Sequence, residues 1–247
     1  FVFAAMGCMP YARVPGIEAR LARLKVEIER HQPAFTVHLG DIHGGDERAS
    51  DGRYMAVRTW FDSFDHPLIY TPGDNEWTDA HRPAIGSYEP QERLAKLREL
   101  FFADERSRGA RPMDLVTQRR MPGHETYVEN ARWNIGGVVF ATLHVVGSFN
   151  NFQPNIPGAI DEFLARDSAN LAWLRAAFSE AVRTEAPGVV LFMQAQPFGH
   201  TYGVEGFMPG FQPFLKALEQ EVRAFGLPVL LVHADEHRYR NEQGVRI

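Results

Sequence analysis

Short apolar runs alternate along this chain with longer amphipathic stretches, and this alternation restricts the fold more than any other feature. The apolar runs predict strands within 1–6, 34–41, 66–74, 188–198 and 228–240. Apolar residues at helical spacing predict helices at 16–31, 53–64, 89–102, 167–183 and 211–225. The segment 134–148 predicts a hairpin or a long strand, and we expect Asp167 or Ser168 to cap the helix after it. This order predicts an α/β fold with its function at the carboxyl ends of the strands.

The length and charge of the chain limit its organisation and its partners. The chain has 247 residues, which suits one large domain, and no boundary divides it, so we predict a single domain over 1–247. A net charge of −5 argues against a broad surface for nucleic acid or anionic membrane. No apolar run reaches the roughly 18 residues of a membrane span, so we expect none. The oligomeric state stays open.

Both ends of the sequence have the character of trimmed ends. The chain begins at Phe1 inside a strand pattern, and its last seven residues, Asn-Glu-Gln-Gly-Val-Arg-Ile, are typical of a hairpin cut short. We therefore expect further chain at both ends. If a signal peptide was removed, the protein is exported or periplasmic, and otherwise its location stays open.

Polar residues of the kinds that bind metal ions follow five of the predicted strands. They lie within 7–11, 40–45, 73–77, 194–198 and 233–239. If these strand ends share one edge, three carboxylates and an imidazole converge, namely Asp41, Asp74, Asp235 and His237. Packed carboxylates repel one another and their pKa values rise, and a divalent cation removes that conflict. Carboxylates with imidazole suit Mn, Fe, Zn or Mg.

In their order and spacing, these motifs resemble those of the calcineurin-like metallophosphoesterase superfamily. The usual pattern there is Asp-x-His, Gly-Asp-x-x-Asp, Gly-Asn-His-Glu, a lone His and Gly-His-x-His, and the likeness covers nearly the whole chain. Gly-Asp-Asn-Glu-Trp at 73–77 and His-Ala-Asp-Glu-His-Arg-Tyr-Arg at 233–240 are also similar to a bacterial branch of that superfamily. The resemblance implies a four-layer α/β/β/α sandwich. It also implies a centre of two divalent metal ions that hydrolyses a small phosphate-ester substrate.

The resemblance assigns roles to individual residues. Six residues are expected to hold the metal ions: Cys8, Asp41, Asp74, Gln194, Asp235 and His237. Among them, Asp41 matches the aspartate that bridges both ions. Three residues are expected to act in catalysis: Asn75, Glu76 and His237. Asn75 falls where the family has a histidine that contacts the phosphate or protonates the leaving group, and Glu76 matches a supporting glutamate.

The sequence departs from the family pattern at several of these positions. Cys8 and Pro10 stand where the first motif has Asp and His, and Gln194 replaces the lone histidine. A thiolate favours softer metal ions, and Gln194 supplies only a neutral amide. Asn75 cannot act as a general acid at pH 7, so substrates with good leaving groups, such as aryl phosphates, are expected. Monoester and diester hydrolysis both stay open.

Two other assignments of the metal ligands stay open as well. In one, Gly-Asp-Ile-His at 40–43 is the first motif, so that His43 joins Asp41 as a ligand. In the other, a single ion is held by Asp74, Gln194, Asp235 and His237. His233 and Asn151 are additional candidates, although His233 also fits a core position. The arginines at 106–111 and 119–120 either form a solvated face or overhang the site.

Two functions from different classes follow from these residues. The leading hypothesis is a metal-dependent phosphoesterase that acts on phosphate monoesters or diesters through a metal-activated water. The competing hypothesis is a non-enzyme with the same fold and a degraded site, which binds a phosphate-containing ligand or a partner. Cys8, Pro10 and Gln194 motivate the second hypothesis.

Overall fold

Over the residues that the structure describes, the protein is a mixed α/β fold with two sheets and six helices, which confirms the predicted α/β class. A computed structural model describes residues 1–198 and 208–244. The last three residues of the expected C-terminal hairpin lie outside the described residues. The first sheet has three parallel strands in the order β1-β2-β3. Their bounds are Ala4–Met6, Thr36–His38 and Leu68–Tyr70.

The second sheet has five strands in the order β4-β5-β6-β7-β8. Their bounds are Val116–Thr117, Ala131–Ile135, Val138–Thr142, Val189–Phe192 and Val229–Val232. Strands β4, β5 and β6 pair antiparallel, whereas β6, β7 and β8 pair parallel. The hairpin expected within 134–148 lies earlier, at β5 and β6. Its turn residues Gly136 and Gly137 have φ of 59° and 81°, a combination that glycine tolerates best.

Six helices connect and cover these strands. They are α1 (Ile17–Arg30), α2 (Asp51–Asp62), α3 (Pro90–Phe101), α4 (Gly147–Asn150), α5 (Ala159–Arg183) and α6 (Gln212–Phe225). Of these, α4 is a single turn, and its residues Ser148 and Phe149 have left-handed backbone angles. The bounds of α1, α2, α3 and α6 agree with the prediction to within about two residues. Short 3₁₀ turns occupy Thr78–His81 and Gln118–Arg120. Among the described residues, no helix combines the length and the apolar character needed to cross a membrane.

The predicted start of α5 is wrong by eight residues. The helix begins at Ala159, after Gly158 with φ of 77°, and Asp161 and Glu162 lie in its first turn. Asp167, expected as a cap, is instead buried in the middle of the helix. Acidic residues in the first turn interact favourably with the helix dipole, which explains why the helix extends to that point.

Three apolar clusters hold the fold together, and the strands contribute to them with a period of two. Val189 and Leu191 of β7 pack in one cluster with α5 and α6, whereas Val190 and Phe192 belong to another. That second cluster contains residues from both sheets, including Val37 of β2. The third cluster joins residues of the first sheet to α2 and α3. Alternate side chains of a strand point to opposite faces, so both faces of these strands are buried.

Candidate metal centre

Two glycines allow the chain segments after β2 and β3 to touch. Gly40 has φ of 76°, and a Cβ atom there would overlap the backbone of Gly73. A Cβ atom on Gly73 would in turn overlap the carboxylate of Asp41. The glycine before each aspartate therefore permits a backbone approach that no larger residue would permit. This approach places Asp41 and Asp74 beside each other at the carboxyl ends of their strands.

The segments after β1 and β8 complete the cluster. The carboxylates of Asp41, Asp74 and Asp235 each offer an oxygen atom, and these atoms lie within 4.8 Å of one another. The ligand atoms of Cys8, Asp41 and His237 also lie within 4.8 Å of one another. The two groups share Asp41. The structure thus brings together five residues that were predicted as metal ligands, from four separate strand ends.

Gln194, which follows β7, joins two of the carboxylates directly. Its Nε2 atom donates to Asp41 Oδ2 and to Asp74 Oδ1, at 3.1 Å in each case. Its Oε1 atom accepts from the backbone N–H of Gly147 at 2.5 Å. The backbone donor fixes the orientation of the amide, so the nitrogen faces the carboxylates and the oxygen faces away. Gln194 acts here as a bridge between two carboxylates, and its role as a metal ligand stays a prediction.

Asp41 has the electrostatic character of a group that needs a cation. It is 3% exposed, and its Oδ1 atom is buried without a hydrogen-bond partner. Burial, followed by the negative charge of Asp74, raises the pKa of Asp41 well above its ordinary value. An unpartnered buried oxygen beside two other carboxylates fits a divalent metal ion, because the ion would satisfy that oxygen and offset the repulsion. The donor set therefore fits the ions that the sequence predicts.

Cys8 is the unusual member of the cluster. Its thiol lies 3.5 Å from Asp41 Oδ2, and burial raises its pKa above the ordinary value. The charge of Asp41 acts in the same direction. Without a cation the thiol is therefore protonated, whereas a metal ion would favour the thiolate. Tyr11 contacts the same side of the cluster, since its hydroxyl group lies 3.1 Å from His237 Nε2.

Glu76 lies beneath the cluster and connects the two glycine-containing segments. Its Oε1 atom accepts from the backbone N–H groups of Ile42 and Gly73 at 3.2 Å and from the Tyr70 hydroxyl at 2.9 Å. Burial raises the pKa of Glu76 to about 7. Glu76 does not line the cavity described below and holds the neighbouring backbone segments instead, and its expected part in catalysis stays a prediction.

Trp77, next to Glu76, is fully buried and anchors a second polar network. Its indole Nε1 atom donates to His144 Nε2 at 3.1 Å. The other ring nitrogen of His144 lies 2.8 Å from Glu129, which also pairs with Arg98. This network explains why Trp directly follows the acidic residues: it fixes the 73–77 segment against β6 and its continuation.

A cavity of about 330 Å³ opens above the carboxylates. Five of the predicted site residues line it: Asp41, Asp74, Asn75, Asp235 and His237. Asn75 donates from Nδ2 to the carbonyl oxygen of His43 at 3.0 Å. Sequence reasoning missed other residues of the wall, among them Tyr11, Arg13, Asp79, Arg82, Ser148 and Phe149. Asp79 and Arg82 could have been found, because they lie three residues apart in the polar stretch after Gly73.

The wall next to Asp74 is a left-handed turn. Ser148, Phe149, Asn150 and Asn151 all have φ between 48° and 61°. Arg166, which is fully buried, holds the turn by donating to the side-chain oxygen of Asn150 at 2.6 Å and to its carbonyl oxygen at 2.9 Å. The turn directs Ser148 Oγ toward Asp74 Oδ2 at 2.8 Å. Asn151, a predicted additional candidate, is buried beneath the turn and donates to Glu162, so it does not line the cavity.

The other additional candidates, His43 and His233, belong to neither ligand group. His43 is buried beside Tyr54, its Nδ1 atom bonds to the carbonyl oxygen of Gly44, and burial lowers its pKa. His233 lies next to Phe198, and burial lowers its pKa as well. Neither residue lines the cavity. His43 Nε2 is nevertheless buried without a hydrogen-bond partner, so the alternative in which His43 joins Asp41 as a ligand stays a prediction.

The arginines at 106–111 and 119–120 do not overhang the site. Arg108 pairs with Asp62, and Arg120 pairs with Glu105. Arg106 pairs with Asp114, which is mostly exposed. These arginines bind neighbouring groups on other parts of the surface and do not line the cavity.

Neither the family models nor the curated proteins with which the chain was compared contain a match to it. The interpretation of the site therefore depends on the geometry and chemistry of its residues.

Proposed function

We propose that this protein is a metal-dependent phosphoesterase with a centre for two divalent ions at Asp41. One observation carries the proposal: two sets of three ligand atoms, each set within 4.8 Å, share a buried aspartate whose second oxygen has no partner. Asp74 and Asp235 belong to one set, and Cys8 and His237 to the other. Three carboxylates this close together would be unfavourable in a site that served only to stabilise the fold.

The residues of the cavity suit the binding of an ester beside that centre. When bound, divalent ions would place positive charge against the phosphoryl oxygens and would activate a water for attack on phosphorus. The chain's own contribution is to hold the carboxylates in place through Gln194, to support the backbone through Glu76, and to present Asn75 and His237 to the cavity. Asn75 holds its amide toward His43 and carries no titratable proton, so a good leaving group such as an aryl oxygen is favoured.

We also propose that the layers stack as a four-layer α/β/β/α sandwich. The apolar cluster that contains residues of both sheets supports this arrangement, with Phe35, Trp133 and Phe192 among its members. The other two clusters each pair one sheet with helices. In such a stack the strand ends of both sheets lie close to each other. The group of proposed metal ligands requires this, because Asp41 and Asp74 follow strands of one sheet and Asp235 follows a strand of the other.

The test combines metal analysis with turnover. Purified chain, incubated with Mn²⁺ and then desalted, should retain about two ions per chain and hydrolyse an aryl phosphate. Asp41→Asn should lose most of the bound metal and at least about 100-fold in kcat/KM, since it removes the shared ligand. Asp167→Asn is the matched control, because Asp167 is also a buried carboxylate but lies in α5. Retention of metal and turnover by Asp41→Asn would refute the proposal.

One observation favours the non-enzymatic alternative. Gln194 already ties Asp41 to Asp74 with two hydrogen bonds, so part of the cluster is held without a cation. Under the non-enzymatic alternative, the protein binds a phosphate-containing ligand without hydrolysing it. Metal binding with no turnover of monoesters or diesters, together with binding of inorganic phosphate, would support this second function.

A further inference from the structure

Arg82 occupies a position at the cavity wall that the proposed metal centre does not explain. It follows the 3₁₀ turn Thr78–His81, and its Nη1 atom lies 2.7 Å from Asp79 Oδ2. Its Nη2 atom donates to Ser148 Oγ at 3.3 Å. The Asp79 side chain is 2% exposed, whereas that of Arg82 is 46% exposed. The guanidinium is therefore anchored on one side and open to the cavity on the other.

A single hydroxyl group separates Arg82 from a proposed metal ligand. Ser148 Oγ lies 2.8 Å from Asp74 Oδ2 and 2.8 Å from Asp79 Oδ1, and it is the same atom that Arg82 contacts. Arg82 and Asp74 also line the same cavity. A phosphoryl group bound beside Asp74 would therefore lie next to the guanidinium.

The chemistry of arginine fits this position. A guanidinium carries five N–H donors, and Asp79 and Ser148 account for only two of the contacts. The remaining donors can bind phosphate oxygens in the forked geometry that arginine favours. Because the buried Asp79 keeps Arg82 in place, little side-chain entropy is lost when an anion binds. Arg13, the other arginine of the wall, pairs instead with the half-exposed Asp46.

We propose that Arg82 binds a phosphoryl oxygen of the substrate and that it selects phosphate monoesters over diesters. This inference rests on the proposed phosphoesterase function. A monoester presents three non-bridging oxygens and two negative charges at neutral pH, whereas a diester presents two oxygens and one charge. With metal ions beside Asp41 and Asp74, a further cation at the wall matches the third oxygen and the second charge. Asn75, which uses its amide on His43, is a weaker donor for that oxygen.

The test compares two aryl esters in the Mn-loaded chain, p-nitrophenyl phosphate and bis(p-nitrophenyl) phosphate. The wild type should prefer the monoester. Arg82→Ala should lower kcat/KM for the monoester about 10- to 100-fold, the loss expected for one hydrogen bond to a charged group. The diester should lose less than about threefold, and Arg82→Lys should recover part of the monoester activity. Arg120→Ala is the control, because Arg120 pairs with Glu105 outside the cavity.

Two further measurements distinguish a loss of phosphate binding from a loss of folding. Asp79→Asn combined with Arg82→Ala removes the carboxylate that Arg82→Ala would leave buried, so a folding defect is separated from a binding defect by thermal unfolding. Titration of inorganic phosphate by calorimetry should show binding at least about tenfold weaker in both Arg82→Ala proteins than in the wild type.

Equal losses on both esters, or unchanged phosphate binding, would overturn the role of Arg82. A wild type that cleaves the diester at least as fast as the monoester would overturn the substrate class. If the wild type cleaves neither ester, the proposed function fails, and the phosphate titration alone decides whether Arg82 binds the anion.

Discussion

Replacing Asp41 with asparagine should stabilise the metal-free protein, although Asp41 is the residue that both proposed metal positions share. Asp41 is buried, its Oδ1 atom has no hydrogen-bond partner, and the charges of Asp74 and Asp235 act on it. In metal-free protein this carboxyl group either holds a costly charge or binds a proton. Asparagine has the same shape and no charge, and its amide can donate to a neighbouring carboxylate. The substitution therefore removes a cost without creating a cavity.

The size of the effect follows from the environment of that one oxygen. A buried polar atom without a partner costs about 1–3 kcal/mol in folding free energy. For a chain of this length, 1 kcal/mol shifts Tm by about 2–4 °C. We expect Asp41→Asn to raise Tm by about 2–12 °C in EDTA. In Mn²⁺ at about 100 times Kd, the wild type should gain about 2.7 kcal/mol, which the variant should largely lose. When metal is added, the stability advantage of Asp41→Asn over the wild type should therefore shrink to about zero or change sign.

Thermal unfolding followed by circular dichroism, in EDTA and in MnCl₂, measures both parts of this prediction. Asp167→Asn is the control: it should also be stabilised at pH 7, because Asp167 is buried, but its response to Mn²⁺ should equal that of the wild type. The reasoning is refuted if Asp41→Asn is less stable than the wild type in EDTA. It is also refuted if Mn²⁺ stabilises the variant as much as the wild type.

Three further predictions concern Gln194, Arg166 and Asp167. Gln194→Glu adds a carboxylate to the cluster, so Tm in EDTA should fall by the equivalent of about 1–3 kcal/mol while calorimetry shows tighter Mn²⁺ binding; an unchanged Tm would contradict this. Arg166→Met should cost about 3–5 kcal/mol in urea unfolding, because it leaves buried acceptors of the left-handed turn without their donor; a cost below about 1 kcal/mol would contradict it. Burial raises the pKa of Asp167 to about 6, so the folded state binds a proton at Asp167 more tightly than the unfolded state, and the contribution of Asp167 to the stability of the wild type should decrease as pH rises from about 4 to 6. Asp167→Asn should remove this decrease in urea titrations at several pH values, and an unchanged pH profile would argue against it.

The part of the site that follows strands of the first sheet could be predicted from the sequence, because the physical reason for it is local. Asp41 and Asp74 each follow a glycine at the end of a short buried strand, and parallel neighbouring strands place such residues side by side. Asp235 and His237 follow a strand of the other sheet, so no periodicity in the chain could have brought them to Asp41. Sequence analysis brought them to Asp41 only on the condition that all these strand ends share one edge, and the resemblance implied the same convergence.

The residues that sequence analysis missed depend on long-range support. Ser148 reaches Asp74 because four consecutive residues adopt left-handed conformations, and only Asn150 and Asn151 are of a type that favours them. Arg166, which holds this turn, is more than ten residues away in α5. Its own helix was predicted to start one residue after it, because Asp167 and Ser168 resemble a helix cap. A buried arginine in a helix has no distinct sequence pattern, so this support was invisible before the fold was known.

The conformations of the proposed ligands strengthen the functional interpretation. Cys8, Asp41, Asp235 and His237 all have positive φ, between 54° and 73°. Residues other than glycine held in this region cost about 1–3 kcal/mol each, and such strain concentrates at functional sites. Glycine at any of these positions would relieve the backbone, and at Asp41 it would also remove a buried charge. A chain selected for stability alone would favour glycine there, yet all four positions carry side chains that bind metal ions. Positive φ also occurs at Gln32 and Glu185, outside the cluster, so this conformation alone does not indicate a metal centre. The occurrence of four such residues of metal-binding types in one cluster is what supports the proposal.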